Sequence, residues 1–320
     1  MTASKVAIRA GIRNAENYVD ATTLKNEADI KDAIQKYTVF GRVIPEQKKQ
    51  IIQAYKWAGR VVAMTGDGVN DVLALKCADC SVAMASGSDA ASNAAQIVLL
   101  DSDFSKMPEV VLEGRRVVNN IQTSASLFLV KNIFSILTTV FTLIAANLYP
   151  LYPTQLSLLG AFTIGTPAFV LALQPNKELI RGDFLVNVIL KALPAGLADF
   201  IMLAAISIHG NILGMSNEQI STVAIVILLF IGLAALVRIC RPFDGIRILL
   251  CLAMAAGIVI CVLNFKGIFA ITTVNMIMLR MIIMYALIAG VLFCIMCKSV
   301  GGWIDSVSYT HLTLPTKLEV

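Results

Sequence analysis

The sequence predicts two fold classes in one chain: an α/β domain built on a parallel sheet, then an all-α transmembrane bundle. Three observations predict this. The 320 residues are 57% hydrophobic and only 15% charged, too apolar for an ordinary water-soluble domain. Charged residues crowd into the first third, and long apolar stretches take over after about residue 124. Within that first third, short apolar runs alternate with helical patterns, which implies parallel strands with helices on both faces.

The elements follow in order. Residues 3–11 read as a helix closed by Gly11, 29–36 as an amphipathic helix, and Thr38-Val39-Phe40 as a short strand. Pro45 sits where a first helical turn tolerates proline and opens a helix over 46–59. Gly59 leads into a strand over 60–64. After the next loop, 72–77 reads as a helix, 81–84 as a strand, 90–95 as a helix and 98–100 as a strand.

The loop Met64-Thr65-Gly66-Asp67-Gly68-Val69-Asn70-Asp71 carries the chemistry. Its glycines are expected to let backbone approach a ligand, while Asp67, Asn70 and Asp71 supply hard oxygen atoms and an amide donor. Ligands of parallel sheets sit at the carboxyl ends of strands, where Asp67 falls. A polar turn is the plainer reading of Gly-Asp-Gly alone.

The longer string Thr65 to Lys76, Thr-Gly-Asp-Gly-Val-Asn-Asp-Val-Leu-Ala-Leu-Lys, resembles the hinge motif of the P-type ATPases. Gly41-Arg42-Val43-Ile44-Pro45-Glu46-Gln47-Lys48 resembles the family's segment with a phosphate-contacting lysine, and Glu113-Gly114-Arg115-Arg116 with Asn119-Asn120-Ile121 resembles its stalk. The resemblance implies that residues 1–118 are the C-terminal part of a cytosolic, haloacid-dehalogenase-like phosphorylation domain. It further implies that Asp67 is a Mg²⁺ ligand, that Lys48, Asn70 and Asp71 serve the phosphorylated site, and that Thr65, Gly66 and Gly68 line it. ATP is the implied substrate of the complete protein. A solvated helix position is the alternative for Lys48.

Six apolar segments follow, near 125–147, 155–173, 187–208, 219–237, 246–263 and 275–297, each long enough to cross a hydrocarbon core. Loop charge orients them. Lys177, Arg181, Arg238, Arg241, Arg247 and Lys298 fall on one side, and mainly Lys266 on the other, with Arg280 inside the last span, so the α/β part is expected in the cytosol and the chain in the cell membrane. In the family resembled, heavy-metal pumps have two spans after the phosphorylation domain, whereas calcium, magnesium, sodium and proton pumps and lipid flippases have six.

Polar groups inside spans are the candidates for a transported-cation site: Asn132, Thr163, Thr166 and Asp199. A helix broken at Gly165-Thr166-Pro167 is expected to free carbonyls for a cation, although a hydroxyl bonded to its own helix or a proline kink gives the same pattern. Many calcium and sodium pumps have an acidic ligand in the second of these spans. Here Thr163 to Phe169 has none, which leaves the ion open, with a lean to bacterial calcium-type pumps. Asp199 is equally open to pairing with a polar neighbour. Lys131 is expected to snorkel to the interface, and His209 to sit solvated in an outer loop.

The net charge of +5 is attributed to membrane flanks and not to nucleic acid. The seven cysteines lack a regular pattern and read as small buried hydrophobes; Cys77-Ala-Asp-Cys80 has no second pair. The family's Asp-Lys-Thr-Gly-Thr nucleophile motif does not occur in this sequence. The resemblance therefore implies a C-terminal fragment of a cation pump, inactive alone, whose partners include the missing N-terminal portion, with Met1 an expected artefact of gene delimitation. Residues 301–320 read as a tail, of which about 307–316 resembles translated sequencing adapter; a polar cytosolic tail is the alternative. Competing functions are a membrane-anchored phosphatase of the same soluble fold, a lipid flippase and a non-catalytic membrane subunit.

Overall fold

The computed structural model describes residues 2–145, 149–176, 178–180 and 182–312, with side chains to residue 300. Two compact units divide at Val110/Val111. Lys177 and Arg181, used in the charge argument, lie outside the described residues, as do Asn147 at the end of the first expected span and 313–320.

The first unit is α/β. Helix α1 (Thr2–Arg9) ends ahead of Gly11, whose φ of +78° closes the turn. Strand β1 (Tyr18–Asp20) pairs in parallel with β2 (Val39–Gly41), and α2 (Glu27–Lys36) connects them. The Asn26 side chain accepts from the Asp29 N–H while Asp29 reaches back to the Asn26 N–H, which satisfies two of the free donors that begin α2. Helix α3 (Pro45–Trp57) places proline in its first turn, and Gly59 with φ +76° turns the chain after its end.

A second parallel sheet, in order β3-β4-β5, contains β3 (Ala63–Gly66), β4 (Cys80–Met84) and β5 (Ile97–Leu99). Helices α4 (Val72–Cys77) and α5 (Asp89–Ala94) form the crossovers. Two corrections concern the strands. Tyr18–Asp20 is a strand that alternation over three residues did not reveal, and β3 lies further along than 60–64, so Thr65 and Gly66 belong to the strand and not to the loop.

The second unit is a bundle of six spans. Helix α6 (Met107–Ile144) starts it. The second span is α7 (Pro153–Gly160), a π-helical turn (Ala161–Gly165) and α8 (Thr166–Ala172). Then come α9 (Phe184–Ile212), α10 (Asn217–Ile239), α11 (Gly245–Asn264) and α12 (Met276–Leu312), which continues as helix into the region expected as tail. All six are long and apolar enough to cross a membrane. Helix α10 is the axis of the bundle: Val223, Ala224, Ile225, Ile227, Leu228 and Ile231 are fully buried. Gly210 makes room for Ile220, since a Cβ there would lie 2.5 Å from its Cγ1.

Polar clasps fix the register of the spans. Asn120 on α6 donates to the carbonyls of Ala172 (2.8 Å) and Gln174 (2.9 Å), which the end of α8 leaves free. Asn119 donates to Glu178 O at 3.0 Å, and Arg247 in the first turn of α11 donates to Gln174 Oε1 at 2.7 Å. His209 is not a solvated loop residue. It lies in α9, half-buried, with Nδ1 3.2 Å from the hydroxyl of Tyr285 on α12, and that hydroxyl donates to Ala205 O.

Candidate functional site

Strand β3 ends at Gly66, so Asp67 is the first residue beyond the carboxyl edge of the central sheet. The next residues, Val69–Asp71, form one turn of 3₁₀ helix that runs directly into α4. This geometry folds Asp71 back over the strand. A Cβ on Gly66 would lie 2.6 Å from Asp71 Cβ and 2.9 Å from its Oδ2, so the glycine is required by the acid's placement. Gly68 is different. Its φ is −108° and a Cβ there would meet atoms only at 3.9 Å, so neither backbone nor packing demands glycine at that position.

Asp71 is 8% exposed, and its Oδ1 accepts a 2.5 Å charge-assisted hydrogen bond from Lys48 Nζ. Lys48 closes the first turn of α3, a helix that packs against α4. The lysine is thus held by a carboxylate and is not a freely solvated helix residue. Asp67 and Asn70 are exposed, with Thr65 beside them on the strand.

Sequence reasoning missed a second loop that shapes this edge. After β4 the chain turns through Ser86-Gly87-Ser88; the Ser88 N–H donates to Asp67 O at 2.7 Å, and a Cβ on Gly87 would lie 2.4 Å from that same oxygen. The available signal was Gly-Ser directly after a strand and before an acidic helix start. The Asp67 backbone is therefore clamped while its carboxylate stays open. Mg²⁺ takes hard oxygen ligands, keeps several waters, and is bound through one or two protein carboxylates plus substrate phosphates. A single exposed carboxylate on a fixed backbone fits that demand. A closed protein cage is not built here: among the described residues no three His, Cys, Asp or Glu side chains cluster, and Cys77 and Cys80 are free.

A second polar anchor braces the start of β3. Asp79 accepts from the Val62 N–H at 2.9 Å and pairs with Lys56 at 2.9 Å. The Lys56 hydrogen bond, with the backbone one, holds the Asp79 carboxyl below the usual carboxylate range, and Asp79 raises Lys56 in turn.

In the bundle, the four candidate cation residues do not converge. Asn132 on α6 and Thr166 on α8 are exposed on their helices. Thr163 and Asp199 line one small enclosed cavity of about 10 Å³, with Phe134, Leu159 and Gly232. That is close to the space of a single water. Asp199 is 1% exposed, and its Oδ1 has no hydrogen-bond partner among the described residues, so the alternative of a polar neighbour on that oxygen is not met. Thr163 donates to Leu159 O at 2.7 Å, the local bond expected of an intrahelical hydroxyl. Around it the helix is not broken at Gly165-Thr166-Pro167 but widened. The Thr166 N–H bonds to Ala161 O in a π turn, the form of helical irregularity that absorbs an extra residue without unwinding.

The haloacid dehalogenase-like hydrolase family matches residues 5–79. Over 265 residues, 80% of this chain, the sequence is 40% identical to a probable cation-transporting ATPase of Streptococcus pneumoniae, of which it covers 34%. A calcium-transporting ATPase of Mycobacterium bovis is 42% identical over 270 residues, again 80% of this chain and 34% of the relative. A calcium-transporting ATPase of Bacillus subtilis is 36% identical over 158 residues, 49% of this chain and 18% of the relative. The chain thus spans about a third of the length of the first two of these relatives. With six membrane-length helices behind a haloacid dehalogenase-like domain, it is a multi-pass membrane protein and belongs to the P-type ATPase family.

Proposed function

We propose that this chain works within an ATP-driven cation pump, as the part that carries the Mg²⁺ and phosphate-facing edge of the phosphorylation domain together with six of the spans. The observation that carries the reading is the constellation at the carboxyl end of β3: an exposed Asp67 on a clamped backbone, beside an Asp71–Lys48 pair. Phosphoryl transfer spreads negative charge over oxygens, and fixed positive charge lowers its barrier electrostatically. Lys48, oriented by Asp71, supplies that charge. Asn70, exposed next to it, offers an amide donor, and the Thr65 to Gly68 backbone forms the floor. Asp67 is the residue that would hold Mg²⁺, which when bound neutralises charge on the transferring phosphoryl group.

Calcium is the cargo we favour, because relatives with 80% coverage of this chain bear that name. Thr163 and Asp199, on facing spans, are its candidate contacts, and the exposed Asn132 and Thr166 are poorer ones. The basic residues Arg238, Arg241, Arg247 and Lys298 favour a cytosolic α/β unit in a cell membrane.

The test is phosphoenzyme formation from ATP in the longer pump that contains this chain. Asp67→Ala should lower the level of acid-stable, hydroxylamine-sensitive phosphoprotein by roughly a hundredfold, the loss typical of one transition-state electrostatic contact. A wild-type level in that variant would remove Asp67 from the mechanism.

A further inference from the structure

Helices α6, α9, α10 and α12 border an open recess of about 230 Å³ at the end of the bundle where α10 stops. Lys191, Arg238 and Arg241 all line it, and no acidic side chain does. Glu178 acts on Lys191 from outside the lining. Arg238 donates one N–H to Cys297 Sγ at 3.0 Å, and Arg241 lies over the Phe243 ring; neither they nor Lys191 join an ion pair within 4.0 Å among the described residues. Snorkelling alone would spread such cations around the rim toward water. Here exposed Lys191 and Arg241 and half-buried Arg238 line one recess together, where an anion would offset their mutual repulsion.

The recess also has an apolar half. Phe293, 8% exposed, with Val130 and Ala235 forms the wall. The hydroxyls of Thr123 and Ser126 are engaged with the carbonyls of Asn119 and Gln122, so the donors that remain for a ligand are the cationic ones. We propose that this recess is a binding site for a phosphate-bearing anion. Arg238 is in the last turn of α10 and Lys191 in the second turn of α9, a level where spans leave the hydrocarbon. Cations over an apolar wall at that level match an anionic phospholipid, phosphate among the cations and acyl chain against Phe293. A free inorganic phosphate matches the cations alone.

Retention of lipid on the purified full chain tests this by native mass spectrometry after mixed-micelle exchange, with phosphatidylglycerol and phosphatidylcholine as probes. A parallel arm measures the thermal shift produced by inorganic phosphate without lipid. Preferential retention of phosphatidylglycerol, reduced at least about tenfold in Lys191→Gln/Arg241→Gln, supports the site with a lipid source. A shift with inorganic phosphate that the double variant abolishes supports it with a free-anion source. Lys191→Arg/Arg241→Lys keeps the charge and should keep the binding, which separates a lost site from a misfolded protein. Equal retention of the two lipids together with no phosphate response, or unchanged binding in the glutamine variant, would overturn the proposal.

Discussion

At the scale of single residues, Gly66 and Asp71 are one feature. The acid occupies the space a side chain on the strand would need, so Gly66→Ala must move Asp71 and its bond to Lys48. The expected outcome is a pump that folds, with overpacking strain of about 1–3 kcal/mol, yet loses phosphoenzyme as Asp71→Asn does. Gly68→Ala should be nearly silent, since its contacts are ordinary. Turnover assays on the two alanine variants make the comparison, and equal losses would contradict it. The Asp79–Lys56 pair gives a pH prediction. Its folded carboxyl titrates below the ordinary value of 3.8, so the stabilisation is present above that value and fades as pH falls through the lowered one. Lys56 is shifted up, so its share is present below the ordinary 10.5 and is lost as pH rises through the raised value. Urea midpoints should fall less between about pH 5 and about pH 3 in Asp79→Asn than in wild type.

At the scale of elements, capping decides where the membrane helices lock. Asn120 is 7% exposed and its two bonds end on carbonyls that α8 leaves without partners. Asn120→Leu removes the only side-chain donors described for those carbonyls and should lower stability in detergent by about 1–2 kcal/mol, read as a drop in Tm. Much of this level was legible in the sequence. Pro45, Gly11 and Gly59 marked helix ends because proline's fixed φ and glycine's access to positive φ act locally, and α4 was placed by its pattern alone. Three-residue β1 was not legible, because Tyr18-Val19-Asp20 is too short for alternation to register. Nor was the Ser88 clamp on Asp67, whose partners come from different strands. Periodicity records what one segment does and is silent on which loop another strand end will meet.

At the scale of the whole molecule, two solvents explain two units: a polar α/β domain whose proposed site lies at one sheet edge, and a bundle of helices apolar enough to cross a membrane. Hydropathy showed that polar residues lie within spans but carried too little information to fix rotational phase. That is why Asn132 and Thr166 looked equivalent to Thr163 and Asp199, although only the latter two share a cavity. An enclosed carboxylate oxygen without a partner is expensive unless its site is used. Asp199→Asn should therefore keep the bundle folded while abolishing cation-stimulated ATP hydrolysis in the longer pump. Wild-type stimulation in that variant would make Asp199 a structural residue only.

In the proposed cycle, chemistry at the β3 edge drives a cation through the bundle. ATP-dependent calcium uptake into inside-out vesicles containing the longer pump measures it directly. Uptake should require Mg²⁺ and disappear in Asp67→Asn; uptake at the wild-type rate in that variant would mean that the β3 edge does not power transport.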